Sequence, residues 1–324
     1  MKPRRKSLER KTKAVKKKFS IVVAGPTAVG KTAAAIHLAK WLQTSIISAD
    51  SRQCYKELSI GVARPSEAEL QAVPHHFIAS HSILEELNAA GFAAYALAEM
   101  EQLFQLHDEV VVVGGTGLYI KALTEGLDAI PPTDPEIRAS IIREYEAKGL
   151  GWLQQAVQEQ DPAYYASGEI QNPQRLMRAL EVVRSTGKSI RNFQTGTVQQ
   201  RPFHTLFIGL ELPRQELINR INQRVDQMMQ DGLLKEVEAV AELLRSTGRP
   251  LSSISALQTV GYSEIFAFLD GQSSLDDAVE RIKIHTRQYA KRQMTWFKKL
   301  PAINWFHPQD LEGMQACIQA QILQ

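Results

Sequence analysis

Short apolar runs alternate with amphipathic stretches along this chain. FSIVVA at 19–24 is unbroken and of strand length, which predicts a strand buried on both faces. GPTAVGKT follows at 25–32, and a helical stretch runs on through Trp41. A second strand, TSIIS at 44–48, precedes Ala49-Asp50-Ser51. Residues 92–106 read as helix, and EVVVV at 109–113 as a third strand ending in Gly114-Gly115-Thr116-Gly117. LFIGLEL at 206–212 is a fourth strand. Strands alternating with helices predict an α/β fold, a parallel sheet with helices on both faces. The stretch between the third and fourth strands carries helical patterns after Pro131-Pro132 and is too long for a simple crossover. It predicts an all-helical insertion over 125–202, leaving 19–124 and 203–324 as the core. Residues 214–246 read as one long helix or a broken pair. Residues 275–299 read as another helix, with SSLDDA at 273–278 as its capping signal.

Composition narrows the class. A chain of 324 residues with 44% hydrophobic residues fits a globular enzyme of about two domains and excludes collagen-like, coiled-coil or wholly disordered chains. No apolar run approaches the length of a membrane span. Cys54 and Cys317 are too few for a disulfide framework or a structural zinc site, so a reducing, cytoplasmic home is expected. The net charge of +3 conceals an uneven distribution. Residues 1–18 hold a net of +9 and the remainder a net of −6. The opening run lacks an apolar core, so it is no secretory signal. It reads as a solvated, disordered arm or as an electrostatic hook for nucleic acid.

Gly25-Pro26-Thr27-Ala28-Val29-Gly30-Lys31-Thr32 matches GxxxxGK[ST] between a strand and a helix, the context of a phosphate-binding P-loop. Backbone N–H groups and the helix N-terminus would cradle phosphate; Lys31 adds a cation, and the Thr32 hydroxyl would sit on Mg²⁺. The expected architecture is therefore a P-loop-type sheet. A nucleotide hydrolase usually places an Asp at the end of a hydrophobic strand to hold that ion. Here the strand ends in Gly-Gly-Thr-Gly. Asp50, after the second strand, is the alternative acid, either near magnesium or as a general base; the bland reading is a helix N-cap. His75-His76 lacks companions for a metal site, and adjacent extended residues point opposite ways.

Taken in order, these blocks resemble the tRNA dimethylallyltransferase (tRNA isopentenyltransferase) family over about Phe19 to Phe306. They are GPTAVGKT, Asp50-Ser-Arg-Gln-Cys-Tyr55, Ile60-Gly-Val-Ala-Arg-Pro65, Pro74-His75-His76, Val113–Tyr119, Asn172–Val182, Arg220–Asp226, Thr259–Tyr262 and Thr286–Trp296. The resemblance implies transfer of a dimethylallyl group from dimethylallyl diphosphate to N6 of adenosine 37, beside the anticodon of tRNA. The P-loop would then hold the diphosphate leaving group, with Mg²⁺. Arg224 matches a family arginine at the diphosphate, and Asp50 the general base for the adenine amine. Asp50, Ser51, Arg52 and Gln53 match the segment that meets the flipped nucleotide; Thr116 and Arg138 match two further tRNA contacts. Val62 and Arg64 depart from the family's usual Thr and Lys. Without a C-terminal zinc finger, the chain resembles the bacterial form, and a monomer is expected.

Two basic segments bear on RNA. Residues 171–201 carry a net of +5. On that helix Leu176, Ala179, Leu180 and Val183 make the buried stripe, while Arg175 and Arg178 share another face. The resemblance assigns Gln174, Arg175, Leu176, Met177 and Arg178 to the anticodon stem-loop. Residues 281–299 carry seven Lys/Arg and no acid. Arg287, Lys291 and Lys298 form one stripe, and Tyr289 and Trp296 another that reads as core. The resemblance places Lys291, Arg292, Gln293 and Lys298 on the tRNA surface, with Gln258 and Tyr262. Two competing functions are a P-loop kinase of small molecules or nucleotides, which leaves the basic helix unexplained, and a non-catalytic RNA-binding protein, which leaves Asp50 unexplained.

Overall fold

The computed structural model describes residues 17–300 and 302–323; the basic run, up to Lys16, lies outside the described residues. In chain order the first elements are β1 (Phe19–Ala24), α1 (Lys31–Leu42), β2 (Ile46–Ser48), α2 (Glu67–Ala72), β3 (His75–His76), α3 (Ala89–Leu106), β4 (Glu109–Gly114) and α4 (Gly117–Thr124). Next come α5 (Pro135–Gln160), α6 (Pro162–Ser167) and α7 (Pro173–Thr186). The rest are β5 (His204–Leu210), α8 (Arg214–Gln230), α9 (Leu233–Thr247), α10 (Tyr262–Leu269), α11 (Leu275–Phe297), β6 (Asn304–Phe306) and α12 (Leu311–Ile322).

Two compact units result. One joins the chain up to Thr124 with the chain from Arg201 onward; the other is Glu125–Gln200. In the first, six parallel strands lie in the order β3-β2-β4-β1-β5-β6. The apolar run of β1 is unbroken because it is central: Val22 sits in register with Val112 of β4 and Phe207 of β5. Ile21 and Val23 turn to one face and pack with Val111, Ile208, Leu38 of α1 and Ile318 of α12. Val22, Val110 and Val112 alternate to the other face and are equally buried. There Phe92 of α3 stacks on Tyr119 of α4 with ring centroids 4.5 Å apart. All strands point the same way, so the C-terminal ends of β1, β2 and β4 open on one edge, where such sheets bind ligands.

Several elements differ from the sequence reading, each for a local reason. The run 44–48 narrows to Ile46–Ser48, since the Thr44 backbone N–H donates back to Ala39 O of α1 at 2.9 Å rather than to a neighbouring strand. The fourth strand begins at His204 and ends at Leu210, because Pro213 forms the N-cap of α8 close behind. The stretch 214–246 is a broken pair: Gly232, at φ 101°, starts α9 in a left-handed conformation. Strands β3 and β6, of two and three residues, are too short to show a period. Lys18, read as the end of the arm, instead pairs with Asp108 at 2.8 Å and anchors the start of β1.

The second unit is helical. Asp134 and Asn172 cap α5 and α7, each with Pro at the first turn. Its core gathers Ile141, Leu153, Val157, Tyr164, Leu176, Leu180 and Val182. Gly149, at φ 76°, kinks α5 midway.

Candidate active site

A cavity of about 640 Å³ opens at the C-terminal edge of the sheet, and its floor is the P-loop. Gly30 caps α1 at φ 106°, which turns the chain from β1 into the helix. Thr27, Ala28, Gly30, Lys31 and Thr32 line the cavity. Gly25 and Pro26 are buried beneath it, and Val29 is a core side chain, so their part is to shape the loop. Lys31 Nζ folds back to donate to Pro26 O at 2.8 Å. Burial pushes its pKa down to about 7; the charge of Asp50 opposes this, and that of Arg224 adds to it. Burial likewise holds Arg224 below the usual guanidinium range. Arg224 reaches from α8 to donate to Thr27 Oγ1 at 3.3 Å.

Asp50 follows β2 and lines the cavity with Ser51, Arg52 and Gln53. Its Oδ1 accepts from Arg52 N at 2.9 Å and Gln53 N at 3.3 Å, so the carboxylate braces its own turn. Thr116 Oγ1 accepts from Ser51 N at 3.1 Å and ties the end of β4 to this turn. Gln53 Nε2 donates to Val62 O at 3.3 Å and Ala63 O at 2.8 Å, closing the opposite wall. The backbone of Val62 thus contributes here, whatever its side chain. Arg64 is structural: its Nη2 donates to the carbonyls of Tyr55, Lys56 and Leu58.

The glycines after β4 have a packing reason. A Cβ at Gly114 would strike Ala49, one at Gly115 the Gln293 amide, and one at Gly117 the Trp296 indole. The strand end is pressed against β2 and α11, which leaves no room for an acid.

Helix α11 corrects part of the RNA expectation. Lys291, Arg292 and Lys298 are exposed, as a binding surface requires. Gln293 is buried instead: its Oε1 accepts from Thr27 N at 2.8 Å, and its Nε2 donates to Gly115 O at 2.9 Å. It links the P-loop to β4, so its side chain is no tRNA contact. Tyr262 is also buried, and its hydroxyl donates to Glu236 at 2.5 Å, which removes it from the RNA surface. Gln258 is exposed and borders the cavity. Tyr289, read as core, lines the cavity; burial, and then the charge of Asp50, push its pKa up to about 12. Arg287 is half-buried and donates to Asn222 at 2.7 Å. His75 Nδ1 meets Val73 O at 2.8 Å and His76 Nδ1 meets Glu99 at 3.0 Å, so the pair is divided between two neighbours.

In the helical unit, Leu176 and Met177 are core side chains and offer RNA no surface. Glu181, almost fully buried, accepts from Arg138 at 2.7 Å and from Arg178 at 3.1 Å. Both arginines are thereby tied to a carboxylate. Gln174 and Arg175 are exposed, with Arg175 in a surface pair with Glu169 at 3.0 Å. The sequence reading missed Glu236, whose acid at the start of a helix looks like an ordinary dipole partner.

Residues 53–300 match the family model described as IPP transferase. The chain belongs to the IPP transferase family. This family member is 47% identical over 305 residues to the tRNA dimethylallyltransferase of Cytophaga hutchinsonii, covering 94% of this chain and 98% of that protein. It is 44% identical to that of Christiangramia forsetii, over 89% and 93% of the two chains. Among solved structures, the full-length tRNA isopentenylpyrophosphate transferase of Bacillus halodurans superposes with a TM-score of 0.68 at 31% identity, covering 95% and 97% of the chains. A eukaryotic dimethylallyltransferase described as acting on tRNA superposes at 0.73 and 28% identity, covering 91% of this family member and 75% of the other chain.

Proposed function

We propose that this chain transfers the dimethylallyl group of dimethylallyl diphosphate to tRNA, on N6 of adenosine 37 beside the anticodon. The observation that carries this reading is the grouping of two basic side chains, Lys31 and Arg224, with a carboxylate, Asp50, around one cavity. Burial works against the charged forms of both bases, and a multiply charged anion such as a diphosphate would restore and hold them. In the reaction the bond from carbon 1 of the allyl group to the diphosphate oxygen breaks, and a bond from that carbon to N6 forms. Lys31, Arg224 and the loop N–H groups stabilise charge growing on the departing diphosphate. The amine proton passes to Asp50, whose second oxygen is not spent on its own turn.

Thr32 lies in the first turn of α1 beside the cavity, and its hydroxyl is a hard oxygen donor of the kind Mg²⁺ takes. No group of three or more His, Cys, Asp or Glu able to hold a metal occurs among the described residues, so an ion here would be held by Thr32, with Asp50 beside it, and largely by the diphosphate itself. When bound, Mg²⁺ would neutralise charge on the leaving group. The anticodon stem-loop is the expected partner of Lys291, Arg292, Lys298, Gln174 and Arg175. The target base must leave its stack to reach Asp50. Among the described residues no helix is long and apolar enough to cross a membrane. A tRNA acceptor is the ground on which we place the reaction in the cytoplasm, with the chain acting as a monomer. A kinase reading gains nothing from the strand end, which packs glycines where an ion-holding acid would stand.

The test is label transfer from radiolabelled dimethylallyl diphosphate to unmodified tRNA bearing adenosine 37, with and without Mg²⁺. Label on the tRNA is the expected result. Its absence under every condition, with tRNA and diphosphate both bound, would overturn the reading.

A further inference from the structure

Ser59, Ile60 and Gly61 present three successive backbone N–H groups to one side chain from far along the chain. Glu236, in the first turn of α9, accepts from Ser59 N at 3.0 Å, Ile60 N at 2.8 Å and Gly61 N at 3.0 Å. Its Oε1 also accepts from the Tyr262 hydroxyl at 2.5 Å. Consecutive amides converging on an anion form a nest, the device by which loops hold phosphates. Here the anion belongs to the protein. Tyr262 closes the arrangement from the other side. A Cβ on Gly61 would lie 2.6 Å from its ring, so only glycine lets the backbone sit there.

An acid in the first turn of a helix is usually a partner for its own dipole. Glu236 does more, because the segment it grips continues directly into the carbonyls that hold Gln53. Val62 O and Ala63 O accept from Gln53 Nε2, and Gln53 N donates to Asp50 Oδ1. The sequence of contacts runs from Glu236 through the 59–63 backbone and Gln53 to the proposed base. Gly61, Val62 and Ala63 themselves line the cavity.

We propose that Glu236 is a positioning residue for the acceptor half of the reaction. It fixes the wall formed by 59–63, and through Gln53 it sets where the Asp50 carboxylate stands relative to the incoming amine. The diphosphate cradle is built from other residues and is untouched by it. This rests on the function proposed above.

The test is Glu236→Gln, which keeps the shape but turns an NH2 group toward the backbone donors. Hydrogen exchange at Ser59, Ile60 and Gly61 is expected to quicken by about tenfold or more. The kcat for label transfer should fall about ten- to a hundredfold, while KM for dimethylallyl diphosphate stays within about twofold. Should that variant not fold, Tyr262→Phe carries the test: it removes one bond to Glu236 and is expected to give a smaller loss of the same kind. Quickened exchange with kcat unchanged would overturn the proposal, and so would unchanged exchange at all three amides. An equal rise in KM for the diphosphate would make Glu236 a general stabiliser and also overturn it. Wild-type protein that transfers no label would bring down the function reading itself, an outcome distinct from an active wild type beside an equally active variant.

Discussion

Lys31 carries the most consequential number in the site. Its pKa is near 10.5 unfolded and about 7 folded, so between those values the unfolded chain binds more protons. Stability therefore rises with pH across that window, and the full cost of the buried ammonium is felt below its lower end. A bound diphosphate would restore the charged form. Its binding at about pH 8.5 is expected to take up as much as one proton, visible as a buffer-dependent enthalpy in titration calorimetry and lost in Lys31→Met. Asp50→Asn tests the base separately. An amide oxygen can still accept from Arg52 N and Gln53 N, so the turn survives. The kcat should drop about 10²- to 10⁴-fold, with tRNA affinity within about threefold. Lys31 and Asp50 were legible in the sequence because each stands in a short motif next to a strand. Gln293 and Glu236 were not. Gln293 meets Thr27 across 266 residues and Glu236 meets Ile60 across 176, and no local spacing encodes such contacts.

At the scale of elements, helical periodicity separates faces but does not say which polar residue faces inward. On α11 and its C-cap, the exposed Lys291, Arg292 and Lys298 and the buried Gln293 all read as polar. Gln293→Leu would leave Thr27 N and Gly115 O without partners, at about 1–3 kcal/mol each. Urea denaturation should show that loss, and affinity for dimethylallyl diphosphate should fall with it. Helix α7 gives the complementary case. Its apolar stripe was legible, but the buried Glu181 that holds Arg178 also takes Arg138 from α5, where no local pattern could announce it. Arg175→Ala is expected to weaken tRNA binding and flatten its salt dependence, because an exposed pair with Glu169 is easily exchanged for phosphate. Arg178→Ala should instead lower the melting temperature, since it strips a partner from a buried carboxylate. Filter binding and thermal scans of the two variants separate the outcomes.

For the molecule as a whole, the parallel sheet could be read from alternating strands and helices, whereas its order could not, because β3 and β6 are too short to show in the sequence. The helical unit begins and ends at one place: Gln199 N donates to Glu125 O at 2.8 Å. Arg201 holds the carbonyls of Leu123 and Ala122, each at 2.8 Å. Replacing 125–200 by a short Gly/Ser linker should therefore leave a folded sheet that still binds dimethylallyl diphosphate and transfers nothing to tRNA. Circular dichroism and the label assay check both halves. The central place of β1 has a further consequence on the ribosome. One side of β1 can pair with β4 as soon as residue 114 has emerged, but its other side waits for β5, which begins at His204. Throughout synthesis of the intervening helices, an apolar strand edge stays open to other chains. A nascent chain stalled there would be a substrate for chaperones, and the speed with which the helical unit is made sets how long that exposure lasts.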